Sequence, residues 1–348
     1  MQSVKFFLVL LIAPFIGLCI AVSGLDVSTD HLLLPTKNVT ASIDSIEESF
    51  CDMEGKFGAI KAQVDVQKSG YEEQEQTLSG LTGQASEHKK MSDQIYEDRI
   101  LTMLGSPVRM HKSKRVEVKV FKLDELDYRG YIAKVKLLNP TVAKVILAKD
   151  KLGEKETTLE AVKRTGAILG INAGGFYTEM REGKPYGIHI GNIVIDGKLV
   201  GDFNGYPGTL SFSGIDRKGN LIGGIMSEEE ELMALDPWQG VSFIPVLIRG
   251  GVKCNIPTEW EKTKQPRTII GEYANGDLIL IVVDGRQSDW SSGVTLERLI
   301  DKLIELGVKE GYNLDGGGSS AFVYKDEVLN RPSDGKLRPV VTNIVIMP

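Results

Sequence analysis

Residues 278–320 constrain the fold more than any other stretch of this 348-residue chain. Leu278 to Val283 is an uninterrupted apolar run that reads as a fully buried strand, ending in Asp284-Gly285-Arg286. Leu296, Leu299, Ile300, Leu303, Ile304 and Leu306 then mark a helix, with Thr295 near its start and Gly307 as its stop. Tyr312-Asn313-Leu314 reads as a second strand, ending in Asp315-Gly316-Gly317-Gly318-Ser319-Ser320. Strand, helix and strand in that length predict a right-handed crossover joining parallel strands. Asp284 and Asp315 then emerge at the same edge of the sheet, where α/β clefts form.

Glycine after each aspartate lets backbone approach a ligand closely. Successive N–H groups of Gly316 to Ser319 are expected to form an anion-binding concavity. Arg286, and Arg267 in Gln265-Pro266-Arg267-Thr268, supply the positive charge that fixes a phosphate bidentately. Asn172, at a strand end before Gly174 and Gly175, belongs to the same geometry. Taken singly, an Asp-Gly is a turn and a GGG run is a loop. Two strand-terminal aspartates at one edge, with an arginine beside the first, favour a site. His189 is the one histidine beyond residue 111 and is read as structural.

The remainder from Arg109 onward is strand-rich. Val116 to Phe121 and Tyr131 to Leu138 alternate polar and apolar residues as half-buried strands do, and Thr141 to Ala148 looks like another strand. Thr157 to Thr165 suits a short helix stopped by Gly166, and Ala167 to Asn172 a short buried strand. Asp196-Gly197 and Asn275-Gly276 are hairpin turn signals. The expected class is α+β, a mixed β-sheet domain with a few packed helices.

Two segments precede it. Residues 6–25 carry no charge, and twenty such residues as a helix span about 30 Å, the thickness of a bilayer core. Lys5 before the run and Asp26 and Asp30 after it predict a signal-anchor with the rest of the chain outside the cytoplasm. A signal peptide cleaved near Ala21-Val22-Ser23 is the alternative, and either way the bulk of the protein is extracytoplasmic. Cys19 reads as membrane filler. From Ile43 to Val64 the apolar residues step by three and four, the a/d spacing of a coiled coil. The seam predicts either self-association or an amphipathic helix lying on its own domain, although Gly55, Gly58, Gly70, Gly80 and Gly83 weaken it. The expected organisation is a signal-anchor or signal peptide at 1–25, an extracytoplasmic helical stalk at 26–108 and one compact domain at 109–348.

Composition excludes other classes. A net charge of −6 and a pI near 5.5 argue against nucleic acid as the main partner. Three scattered cysteines and four histidines supply neither a disulfide framework nor a zinc site.

Asn172-Ala173-Gly174-Gly175-Phe176-Tyr177, Val194-Ile195-Asp196-Gly197-Lys198, Pro266-Arg267-Thr268, Val283-Asp284-Gly285-Arg286 and Asn313-Leu314-Asp315-Gly316-Gly317-Gly318-Ser319-Ser320 occur in order. Together with Arg338-Pro339-Val340-Val341-Thr342-Asn343, this set resembles the phosphodiester glycosidase family over roughly residues 109–348. Ala173 departs from the family's usual glycine, and the N-terminal anchor and stalk look like those of bacterial surface versions. The resemblance implies hydrolysis of a sugar 1-phosphodiester in a surface glycan, releasing free sugar. It implies Arg267 and Arg286 on the phosphate with the Gly316, Gly317, Gly318 and Ser319 amides beside them. Asp284 or Asp315 would be base or oxocarbenium stabiliser. Asn172, Thr295 and Asn343 would position sugar hydroxyls or orient the aspartates, with Gly174, Gly175 and Ser320 also lining the substrate. No cofactor is demanded, but a divalent cation on Asp284 and Asp315 suits paired carboxylates with a phosphate oxygen. Rival readings are a non-catalytic module binding anionic glycans, and a coiled-coil assembly protein whose globular head is a cap.

Overall fold

The structure is a computed structural model that describes residues 14–19, 23, 36–205 and 210–348. Most of the uncharged run at 6–25 lies outside those residues. Among the described residues no helix is long and apolar enough to cross a membrane. The chain divides into two compact units, residues 1–86 and 87–348.

Helix α1 runs unbroken over Thr36–Leu104 despite its five glycines, none of which meets another atom within 4 Å of a built Cβ. The a/d seam from Ile43 to Val64 is solvent-exposed along its whole length. The last turns of α1 belong to the second unit, so the compact domain begins well before residue 109. Ile100 is buried among Phe121, Ile132 and Ile281. Glu97 on the same helix pairs with Lys119 and, at 2.6 Å, with Lys134 of the sheet.

Strands β1 (Arg109–Lys112), β2 (Val116–Asp124) and β3 (Arg129–Leu137) form a meander. β4 (Ala143–Leu147) leads through α2 (Thr158–Thr165) to β5 (Leu169–Asn172). α2 opens with a reciprocal capping box between Thr157 and Glu160 and ends on Gly166 at φ 69°, where only glycine is unstrained. Hairpins β6 (Phe176–Arg181) with β7 (Lys184–His189) and β8 (Ile193–Ile195) with β9 (Lys198–Leu199) follow, the second turning on Asp196-Gly197. Next come β10 (Ser211–Asp216), β11 (Leu221–Gly224), α3 (Glu229–Met233) and β12 (Pro237–Phe243). β13 (Val246–Arg249), β14 (Val252–Lys253) and α4 (Thr258–Glu261) lead into β15 (Arg267–Tyr273) and β16 (Leu278–Val283). The chain closes with α5 (Leu296–Glu305), β17 (Val308–Leu314), β18 (Phe322–Tyr324), β19 (Glu327–Val328) and β20 (Thr342–Ile346).

One large sheet has the order β1-β2-β3-β16-β15-β17-β13-β14. Two five-stranded sheets, β19-β18-β5-β20-β4 and β11-β10-β12-β8-β9, pack against one of its faces. α5 and the end of α1 cover the other. This explains the unbroken apolar run of β16. Leu278, Leu280 and Val282 face the sheets, while Ile279, Ile281 and Val283 face the helices.

The expected mixed sheet is corrected in one respect: among the described residues every ladder pair is antiparallel. β16 and β17 do run in the same direction, but β15 lies between them and pairs antiparallel with both. The hairpin through Asn275-Gly276 joins β15 to β16 locally, so the return through α5 reaches the far side of β15. The start of β15 therefore meets the ends of β16 and β17 at one edge, where Arg267 lies opposite Val283 and Thr268 opposite Leu314.

Truncation should separate the two regions of α1. Ile100→Ala is expected to lower unfolding stability by about 2–4 kcal/mol through an unfilled core site. Val66→Ala, on an exposed turn, is expected to change it by less than about 0.5 kcal/mol. Denaturant titration of the full chain measures both.

Candidate active site

Arg267 is buried at the first position of β15. Its guanidinium donates to the carbonyls of Thr263 (2.9 Å), Val294 (3.4 Å) and Trp260 (3.5 Å), and lies 6.0 Å from the centre of the Trp260 ring. Burial first, and the charge of Arg286 second, pull its pKa down to about 10. Arg286 sits in the left-handed region at φ 61°, exposed, its Nε donating to Gln265 Oε1 at 2.7 Å. Among the described residues neither guanidinium has a carboxylate partner. Two neighbouring cations held without an acid make a site that favours an anion.

The GGGSS loop lies under them. Gly317 has φ 60°, and a Cβ there would stand 3.0 Å from Arg286 Nη2. A Cβ on Gly318 would collide with Arg338 and Asp334, which form an ion pair at 2.6 Å. The expected cradle of successive amides is not formed. Gly317 N donates to Pro266 O at 2.9 Å and Ser319 N to Gly316 O at 3.2 Å, because the turn at Gly317–Ser319 closes on itself.

Asp315, half-buried at the end of β17, accepts from the Ser319 hydroxyl and the Gly316 amide and feels the charge of Arg338. Burial outweighs these and raises its pKa to about 6. Asn172, fully buried, donates Nδ2 to Asp315 O at 2.5 Å and accepts at Oδ1 from Thr268 Oγ1 (2.8 Å) and Ala321 N (3.1 Å). One amide thus ties β5, β15 and the GGGSS loop together.

Asp284 is a different kind of acid. It is 1% exposed, and both oxygens are occupied. Oδ1 accepts from Asn330 Nδ2 and Arg331 N at 3.0 Å, and Oδ2 from Trp290 Nε1 at 2.8 Å. Burial raises its pKa, and the Trp290, Arg331 and Asn330 hydrogen bonds counteract that. The geometry makes it an anchor for the segment 330–338, which carries Arg338. The divalent cation considered for Asp284 and Asp315 does not fit this arrangement, because donors fill the Asp284 oxygens. Among the described residues no cluster of three or more acidic, cysteine or histidine ligands occurs.

Five expected substrate contacts are engaged within the fold instead. Thr295 caps α5, its Oγ1 accepting from Arg298 N at 3.3 Å. Asn343, paired with Asn172 across the sheet, is fully buried and accepts from Thr158 Oγ1 at 2.7 Å, its Nδ2 lacking a partner among the described residues. Gly174 donates to Thr342 Oγ1 at 3.0 Å, and Gly175 admits the Phe243 ring where a Cβ would clash. Ser320 is buried beside Thr268, with 3.4 Å between the hydroxyls. His189 ends β7 opposite Phe176, and burial lowers its pKa, keeping the imidazole neutral at pH 7.

Sequence reasoning missed Asn330, Trp290 and the Asp334–Arg338 pair. Only Arg338 lay in a quoted motif; a lone asparagine or tryptophan carries no local signal.

The phosphodiester glycosidase family matches residues 165–347, more than half of the chain. The N-acetylglucosamine-1-phosphodiester alpha-N-acetylglucosaminidases of Bos taurus and Homo sapiens are each 31% identical over 196 residues, or 52% of this chain. The chain spans about a third of the length of these curated relatives, 35% and 36%. The SPbeta prophage-derived YomE of Bacillus subtilis is 29% identical over 201 residues, covering 55% of this chain and 30% of that protein. Among solved structures, the zebrafish catalytic domain of the same glucosaminidase, auto-inhibited by its pro-peptide, superposes with a TM-score of 0.54 at 26% identity. That match covers 70% of this chain and 87% of the zebrafish domain. The matched span contains the edge where Arg267, Arg286 and Asp315 meet, and this chain belongs to the phosphodiester glycosidase family.

Proposed function

We propose that the chain hydrolyses a sugar 1-phosphodiester, releasing free sugar and leaving a phosphomonoester. The observation that carries this reading is the Arg267–Arg286 pair, without a carboxylate partner among the described residues, at the strand edge that also presents Asp315. Arg267, fixed by three carbonyls, and Arg286, held by Gln265, grip the phosphate. As the bond from C1 to the phosphate oxygen breaks, its electron pair passes to the phosphate, and the two cations stabilise the growing negative charge. The departing phosphate is a good leaving group and needs no strong general acid. The ionised Asp315 carboxylate stabilises the positive sugar ring and takes the proton of the water that bonds to C1. Asp284 acts through Asn330 and Arg331, holding the segment that brings Arg338 to Asp315.

N-acetylglucosamine is the first sugar to test, because the named relatives act on it. The uncharged run at 6–25, with Lys5 before it and Asp26 after it, supports a site of action outside the cytoplasm on a surface glycan. Incubation of the full chain with a panel of sugar 1-phosphodiesters, read by release of reducing sugar, tests the activity. Binding without release would point to a glycan-binding module instead.

Asp315→Asn should lower turnover by roughly 10²–10⁴-fold with binding retained. Its effect on melting temperature has a sign set by the raised pKa. The folded state holds the proton more tightly than the unfolded chain, so this group favours the fold at low pH and loses that contribution as pH rises through about 6. Above that pH, Asp315→Asn should leave the melting temperature unchanged or raise it. Arg286→Lys keeps the charge but loses the planar fork, and should cost about a hundredfold in kcat/KM.

The pH–rate profile gives a further check. Turnover requires the ionised carboxylate, so it should rise with pH to a plateau, with a midpoint near 6. Arg338→Gln removes a neighbouring cation and should move that midpoint to higher pH. A merely structural role for Arg338 would leave the midpoint in place and only lower stability.

A further inference from the structure

We propose that the exposed seam of α1 pairs with a second copy of this chain in antiparallel orientation, centred between Phe57 and Ile60. The apolar positions from 43 to 64 keep strict three-four spacing, yet each seam side chain is about half exposed or more, from 50% at Ile43 to 66% at Phe57. A seam of that regularity matches another helix of the same period. The charges flanking it choose the partner and its direction.

With Ile43 in the first core position of each heptad, the residues just after the second core position are Glu47, Glu54, Lys61 and Lys68. All four are exposed. Their order, two acids then two bases, is self-complementary when the partner is reversed. Glu47 then faces Lys68 of the second copy and Glu54 faces its Lys61, and the symmetry repeats both pairs. The opposite flank holds Ser49, Lys56, Gln63 and Gly70, which meet in this register without like charges. A parallel, in-register pair instead sets Lys56 against Lys61 on both sides. Sliding the antiparallel pair by one heptad halves the attractive pairs and brings Glu54 against Glu54 or Lys61 against Lys61, so the charges favour this register.

Core shapes agree. In the antiparallel register Phe57 packs on Ile60, Met53 on Val64 and Ile46 on Tyr71. Each aromatic then meets a non-aromatic neighbour, whereas the parallel arrangement places Phe50, Phe57 and Tyr71 each upon itself. Large against small is the better interdigitation. The glycines do not interfere, because Gly55, Gly58, Gly80 and Gly83 fall on the outer face of the heptad and only Gly70 on its flank.

Crosslinking decides the orientation. The full chain is prepared with the free Cys19, Cys51 and Cys254 replaced by serine, and carries either Met53→Cys or Val64→Cys. Antiparallel pairing places position 53 of one copy beside position 64 of the other, while like positions stand about 16 Å apart along the axis, too far for a disulfide. Mild oxidation of the two variants mixed should give the mixed disulfide, and neither variant alone should crosslink. Self-crosslinking of Met53→Cys would overturn the proposal in favour of a parallel pair. Absence of any crosslink would overturn it in favour of an unpaired or differently covered helix. A charge reversal gives an independent reading by sedimentation equilibrium in detergent. Lys61→Glu sets two carboxylates against Glu54 and should weaken association roughly tenfold or more, with Glu54→Lys added to it restoring the dimer. A parallel pair would be strengthened by Lys61→Glu, because the new carboxylate would face Lys56; strengthening or no change refutes the inference.

Discussion

The separation of two buried charges of opposite sign organises this site. Arg267 and Asp284 stand at neighbouring strand ends and are both nearly inaccessible, at 4% and 1% exposure. They do not form an ion pair. The carboxylate is satisfied by an indole, a side-chain amide and a backbone amide, and the guanidinium by three carbonyls. Carbonyls supply hydrogen bonds but only partial charge, so the arginine keeps an unneutralised positive charge in a poorly solvated place. Direct pairing with Asp284 would remove the affinity for an anion. The neutral shell around Asp284 therefore matters to the arginine as much as to the aspartate, because it keeps the carboxylate occupied.

The edge that gathers these groups follows from one insertion in strand order. Placing β15 between β16 and β17 brings Arg267, Asp284 and Asp315 from three strands to one rim, and Asn172 joins from the second sheet through Thr268 and Asp315. Much of this was legible in the sequence. The apolar runs located the strand ends, and two Asp-Gly steps on strands of like direction implied a shared edge. Which strand lies between them was not legible, since alternation reports burial and not neighbours. Asp315 and Asp284 looked equivalent in sequence because each ends a strand before glycine. Their difference comes from Trp290, folded back on Asp284 by the turn at Gln287–Ser291, and from Asn330, which reaches it through tertiary structure alone.

Other misplacements have local causes. Thr295 carries a hydroxyl near the expected rim, but it also stands one residue before α5, and capping the Arg298 amide takes the oxygen. Gly174 and Gly175 are expected from the resemblance to line the substrate. The space beside them is filled from within the fold, by Val241 and the Phe243 ring. The glycines of α1 were expected to weaken a long helix, yet most sit on its outer face, where their cost is conformational entropy without lost packing.

The boundary between helix and domain is set by charge. Lys134 is 4% exposed in the middle of β3, a position that an unpaired ammonium could not hold. Asp277 from the turn before β16 supplies one partner and Glu97 from α1 the other, with Lys119 sharing Glu97. The last turns of α1 thus complete a buried ion network as well as an apolar layer through Ile100. A domain cut at residue 109 would leave Lys134 with half its compensation and the Phe121–Ile132 face open to water. The composition change at Gly105-Ser106-Pro107 therefore marks the end of a helix and not the edge of a folding unit.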